Sequence, residues 1–390
     1  MRWNPWRTLL PGLLLLASHG SAAAGAFVSA AENDGGGCPV VAPAAGHSAG
    51  LPDPLLLPDG MRATDPAQWR CLRQQTLRAL QAQVYGTKGP APAAVTGTVG
   101  TDRIEVEVRH AGRSERFSAR LHLPEGAGPF PAMLVMAGVA GVSPELLAAE
   151  GVAWIEFPGT VLGAETGEGR RKEGAFYRLY GEQVAGTGTL MAWAWGVSRI
   201  IDVIAASDGR LLRADAVGVS GCSRHGKGAL AAGAFDQRVA LTVPIESGAG
   251  GVPTWRGAPE GAQPASSAFG EQPWLGDAFG RYIDDPRRLA VDQHQVLALV
   301  APRGLLVLDN PHVAWLGAPA GHASARAAVP VYAALGVPGN LGYHADVADP
   351  RHCAWRPEWD APARAAIRRH LLRQPADDPG FSVPANWPGH

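Results

Sequence analysis

"AVGVSGCSRHGKGALAAGAF", residues 216–235, reads as a buried strand that turns sharply into a helix. Residues 216–221 are small and mostly apolar, residues 225–235 are rich in Ala and Gly, and Ser223 stands at the corner between them. A serine at the apex of a strand–turn–helix is the setting of a nucleophile elbow. The tight turn lifts the hydroxyl off the sheet edge, and the next backbone N–H can help hold an oxyanion. The general G-x-S-x-G pattern is met only in part. Gly221 is in place, but His225 stands two residues after the serine and the glycine comes one later, at 226.

Outward from this corner the same alternation continues. "PAMLVMAGV" (131–139), "GVAWIEFP" (151–158), "VALTVPIES" (239–247) and "GLLVLDN" (304–310) are short apolar runs of buried-strand type. "GTLMAWAWGVSRIIDVIAAS" (188–207), "GKGALAAGAF" (226–235) and "ASARAAVPVYAAL" (323–335) have helical composition and length. Strands alternating with helices predict an α/β fold, a mostly parallel sheet covered on both faces. Ahead of it, "RIEVEVRHAG" (103–112) and "RFSARLHLPEG" (116–126) alternate apolar and polar residues across a Gly turn and predict an antiparallel hairpin. Asp65-Pro66 opens a helical pattern over 65–86. No linker divides residues 60–375. One catalytic domain over 51–375 is expected, after a flexible lead-in (26–50) and before a C-terminal tail (376–390).

Composition narrows the function classes. Hydrophobic residues make up 46% and charged residues 18%, with a net charge of −1, so the basic footprint of a nucleic-acid binder is missing. Arg2 and Arg7 precede the apolar "TLLPGLLLLA" (8–17), and small residues follow in 18–26. This is the pattern of a signal peptide over 1–25, and the apolar stretch is too short to span a bilayer. The mature chain is therefore expected to be secreted or periplasmic, with no membrane attachment. Cys38, Cys71, Cys222 and Cys353 would then sit in an oxidising compartment. Their spacing matches no zinc motif, no metal site is expected, and sequence alone allows three pairings.

A serine nucleophile needs a base and a group to orient that base. Glu246, in "PIESGAGG" (244–251), ends the strand after the elbow, so its carboxylate can reach the same rim. Of the 12 histidines, His352 stands out because Cys353 follows it as Cys222 precedes Ser223. A Cys222–Cys353 bridge would tie the serine's turn to the histidine's loop. It would close about 130 residues, worth on the order of 5 kcal/mol in the chain-entropy treatment. Cys38 and Cys71 would remain as the second pair, tying the lead-in to the first helix.

"GCSRHGKGA" (221–229) resembles the signature of the glucuronoyl esterases, carbohydrate esterase family 15, which are serine α/β-hydrolases with a Ser-Glu-His triad. "QWRC" (68–71), "LMAWAWGVSRIID" (190–202), "ESGAGG" (246–251), "LALVAPRGLLVLDN" (297–310), "WLG" (315–317) and "HCAW" (352–355) resemble family segments in the family's order, over roughly 50–375. The resemblance implies an α/β-hydrolase fold, a three-layer sandwich with the antiparallel strands at its N-terminal side. It implies Ser223 as nucleophile, Glu246 as triad acid, His352 as base and Arg224 as oxyanion support. Lys227, Gln263, Glu271 and Trp315 would contact the sugar. Two departures stand out. "VADPRHC" (347–353) replaces the more usual Gly-Gly-His-x-His-Cys, and Thr254 takes the place of a cysteine of a third family disulfide. The implied activity is hydrolysis of the ester between (4-O-methyl-)glucuronic acid of xylan and lignin-type alcohols, by a monomer without a cofactor. The alternative is an acetyl xylan esterase, or another carboxylic ester hydrolase, on the same scaffold.

Overall fold

The computed structural model describes Met1 and residues 29–41, 49–136, 141–167 and 172–387. Apart from Met1, the expected signal peptide lies outside the described residues. Ten strands form one sheet: β1 Ala94–Val99, β2 Arg103–His110, β3 Arg113–His122, β4 Phe130–Met136, β5 Ala153–Phe157, β6 Leu212–Cys222, β7 Val239–Ile245, β8 Gly304–Leu308, β9 Leu341–His344 and β10 Phe381–Ser382. Their spatial order is β1-β2-β3-β5-β4-β6-β7-β8-β9-β10. The strands from β1 to β3 are antiparallel, β3 runs antiparallel to β5, and every later pairing is parallel.

The chemistry of each strand explains its place. β2 and β3 alternate buried and exposed residues, which suits a sheet end open to water on one face. They join through Ala111 and Gly112, both at positive φ (46° and 78°), the two-residue turn whose twist matches a hairpin. β4, β7 and β8 are buried along their whole length, as central parallel strands covered by helices must be. The helix Thr189–Ala206 is long and apolar enough to cross a membrane by length and composition, but its Trp193 and Trp195 are buried in the core, Trp193 against His225 of the helix Arg224–Phe235 and Trp195 against Phe117 and Tyr180.

Residues 29–41, expected as part of a flexible lead-in, are fastened to this body. The Cys38–Cys71 disulfide joins them to the helix Pro66–Leu80. Buried Arg73 on that helix donates to Asn33 Oδ1 (3.0 Å) and to the carbonyl of Ala234 (2.7 Å). Glu32 meets three cations: Lys88 at 2.6 Å, Arg238 at 3.7 Å, and Arg199. Burial alone would raise the Glu32 pKa, but these charges outweigh it and bring it down to about 2. Composition gave no sign of this, because the anchoring partners lie far along the chain. At the other end, β10 falls within the expected tail and adds a strand beyond β9, while Trp387 packs 5.9 Å from His322.

Glu32→Gln should therefore lower the unfolding free energy by about 2 kcal/mol near neutral pH, since it leaves buried cations short of a counter-charge. The ordinary pKa of this group is 4.5 and its folded value about 2, so its contribution is complete above the first and lost as pH falls toward the second. Urea titrations should show the gap between wild type and variant closing across that window. A gap that persists unchanged at low pH would count against the charge argument.

Candidate active site

Ser223 occupies the turn after β6 with φ 58° and ψ −130°, a strained conformation for a residue with a side chain. Its N–H donates to the carbonyl of Ile245 at 2.9 Å, which pins the turn to β7. The glycines are spaced for close packing. A Cβ on Gly226 would sit 2.7 Å from the Ile245 carbonyl oxygen, and one on Gly221 would sit 2.6 Å from that of His225. The crowded position is thus 226, and position 225 can carry a ring. The His225 imidazole stacks on Trp193 at 5.3 Å, and burial, helped by the Arg224 charge, lowers its pKa to about 4. It is a neutral packing group under the turn.

Glu246 follows β7, also at positive φ (43°), and its side chain is fully buried. One oxygen, Oε2, faces His352 Nδ1 at 2.6 Å and accepts the Cys353 N–H at 2.8 Å. The other, Oε1, accepts from Arg356 at 2.6 Å. The Cys222–Cys353 disulfide joins the serine's strand to the histidine's loop, with Cα atoms 5.7 Å apart. The bridge sulfurs, a Glu246 oxygen and a His352 nitrogen all lie within 4.8 Å of one another. The Trp315 ring meets the His352 ring edge-on at 4.8 Å.

Arg356 was not singled out from the sequence, although it follows "HCAW" directly. Buried over the face of Trp359 at 4.4 Å, its guanidinium donates to the carbonyls of Asp349 (3.0 Å), Ala354 (2.7 Å) and Arg351 as well as to Glu246. It closes the loop that carries His352 around itself. Asp309, at the end of β8, is a second buried carboxyl nearby; burial raises it to about 7, and it accepts from Tyr343 at 2.9 Å rather than lining the cavity.

Ser223, Arg224, Lys227, Gln263, Glu271, Trp315 and His352 all line one cavity of about 580 Å³, together with Trp274. Ser223 and His352 share this cavity without a hydrogen bond between them in this structure. Lys227 reaches in from one helical turn beyond the serine, donates to the Ser247 carbonyl at 2.5 Å, and stands 5.1 Å above the Trp274 ring. Burial lowers its pKa to about 7, against the opposing pull of Glu271. The Gln263 amide donates to Glu271 (3.0 Å) and Ser267 (3.2 Å), while its backbone N–H donates to the Trp315 carbonyl at 2.9 Å. Arg224 lies at the rim, its Nε 3.2 Å from Glu165 Oε2. Glu165 and Trp274, like Arg356, escaped the sequence reading, because a lone loop acid and a core-type indole carry no local signal.

The sheet order, the strand–turn–helix around Ser223 and the buried acid behind His352 define an α/β-hydrolase. A family model described as "Glucuronyl esterase, fungi" matches residues 106–336. A 4-O-methyl-glucuronoyl methylesterase of Schizophyllum commune is 38% identical over 344 residues, covering 86% of each chain. The glucuronoyl esterase catalytic domain of Hypocrea jecorina superposes with a TM-score of 0.81 at 34% identity, covering 88% of this chain and 95% of that one. A mutant of the Sporotrichum thermophile enzyme, solved with methyl 4-O-methyl-beta-D-glucopyranuronate, gives a TM-score of 0.82 at 34% identity, with 90% and 95% covered. The chain belongs to the glucuronoyl esterase family.

Removing the Arg356 guanidinium would leave the Glu246 charge buried without its cation and three loop carbonyls without a donor. Arg356→Ala should cost on the order of 4 kcal/mol of unfolding free energy, read by chemical denaturation. A cost below about 1 kcal/mol, the scale of an exposed pair, would show that the loop does not depend on it.

Proposed function

We propose that the chain is an exported esterase that hydrolyses the ester between (4-O-methyl-)glucuronic acid of xylan and lignin-type alcohols. The observation that carries this reading is the single cavity shared by Ser223, His352 and a set of sugar-complementary side chains, with Glu246 directly behind the histidine. Ser223 attacks the ester carbonyl as His352 takes its proton, and Glu246 holds the Nδ1 side of the imidazole and stabilises its charged form. The tetrahedral oxyanion is met by backbone N–H and by the Arg224 guanidinium. His352 then protonates the leaving alcohol and activates the water that releases glucuronate.

Ring hydroxyls need both donors and acceptors, and the cavity supplies each: the Lys227 ammonium, the Gln263 amide, the Glu271 carboxylate and the Trp315 indole. The two disulfides fit an oxidising destination.

Ser223→Ala should abolish hydrolysis, and Arg224→Ala should lower kcat by two orders of magnitude or more, since one oxyanion donor is worth about 3–4 kcal/mol. Near-normal turnover in either variant removes the residue from the mechanism. The substrate claim is tested by running a benzyl glucuronate ester, a methyl galacturonate ester and an aryl acetate side by side. The glucuronate ester should be preferred, and truncation of Lys227, Glu271 or Trp315 should raise KM for it by about tenfold while sparing the acetate. Preference for the acetate would favour the acetyl esterase reading on an unchanged fold.

A further inference from the structure

Arg224 and Lys227 stand one turn apart at the start of the same helix, and their charges repel: Arg224 is among the causes that lower the Lys227 pKa. Lys227 is held from several sides, whereas the Arg224 side chain is 45% exposed at the cavity rim. A long, half-exposed side chain loses rotamer freedom when it must present a donor in one direction, and something must fix that direction beforehand. Among the described residues, its one ionic partner is Glu165.

Glu165 is itself well fixed. Its Oε1 accepts the Trp274 indole N–H at 2.6 Å, which leaves Oε2 to face Arg224 Nε at 3.2 Å. The two segments that supply this contact are cinched together. The Gly167 N–H donates to the Gln272 side chain at 2.7 Å, and the Trp274 segment is anchored in turn to the start of the helix Thr189–Ala206, whose Thr189 and Leu190 N–H groups donate to the carbonyls of Pro273 and Trp274. Trp274 in turn lies beneath the Lys227 ammonium. A continuous path therefore runs from Arg224 through Glu165 and Trp274 to Lys227. The closest approach is through Nε, and among the described residues no hydrogen bond engages the terminal nitrogens, the pair best suited to an oxyanion.

We propose that Glu165 is a positioning residue for the esterase reaction: it holds Arg224 by Nε so that the terminal nitrogens face the oxyanion, and it locks that donor to the indole floor under Lys227. Glu165 does not line the cavity and touches no reacting atom. This inference rests on the oxyanion role proposed for Arg224.

The test is a double-mutant cycle of Glu165→Gln and Arg224→Ala, with kcat and KM measured on a glucuronate ester. Gln keeps an acceptor for the Trp274 indole and removes the charge. Glu165→Gln alone should lower kcat about tenfold with KM changed less than about twofold. In the Arg224→Ala background the same substitution should change kcat by less than about twofold, because the group it positions is gone. An equal loss in both backgrounds, or no loss in either, would overturn the inference. If Arg224→Ala alone leaves kcat intact, the oxyanion role itself fails and the inference falls with it. If Arg224→Ala lowers kcat but Glu165→Gln does not, the oxyanion role stands and only the positioning inference fails.

Discussion

A carboxylate with no access to water must have its charge answered by the protein, and Glu246 is such a group. The three donors that meet it, His352, the Cys353 N–H and Arg356, all come from one loop after β9. That loop cannot move away from the sheet without stranding a buried negative charge. The position of the histidine is thus set by electrostatic closure, and the Cys222–Cys353 bond extends the same constraint to the serine's strand. Acid, histidine and serine turn form one mechanical unit, though His352 lies 106 residues beyond Glu246.

The helix that starts directly after Ser223 is organised by charge of the other sign. Arg224, and Lys227 when protonated, add positive charge to a helix N-terminus whose backbone dipoles are already partly positive. Such a helix start suits an oxyanion, but it is unfavourable when empty. Glu165 and Glu271 face it with compensating charge, and His225 contributes none because its buried ring is neutral at ordinary pH. Neutrality of that ring also explains why a histidine is tolerated beside an arginine in the turn.

Much of this was legible in the residues. Apolar runs separated by helical stretches marked the parallel strands, and the alternation of 103–122 marked the hairpin. The corner at Ser223 and the paired cysteines pointed to the residues gathered around the cavity. What escaped was governed by distant partners. Glu32 reads as an ordinary acid in a Gly-rich stretch until Lys88, Arg199 and Arg238 are brought beside it. Arg356 acquires its meaning only from Glu246, which lies 110 residues earlier. β10 is two residues long and has no pattern to read. The shifted glycine at 226 looked like a flaw in the elbow motif, yet backbone crowding from β7 requires it there.

Among the described residues, positive φ outside glycine occurs at Ala111, Ser223, Glu246, Cys353 and Arg373. Three of these carry or adjoin the groups around the cavity, and each such conformation stores roughly 1–3 kcal/mol. Backbone strain is therefore concentrated where the chemistry is proposed, held in place by the surrounding sheet, the bridge and the buried ion pair. Selection for stability alone would tend to relax these three positions first. Thermal robustness and a formed site pull on this backbone in opposite directions, and variants improved only for melting temperature would drift toward a quieter turn at Ser223.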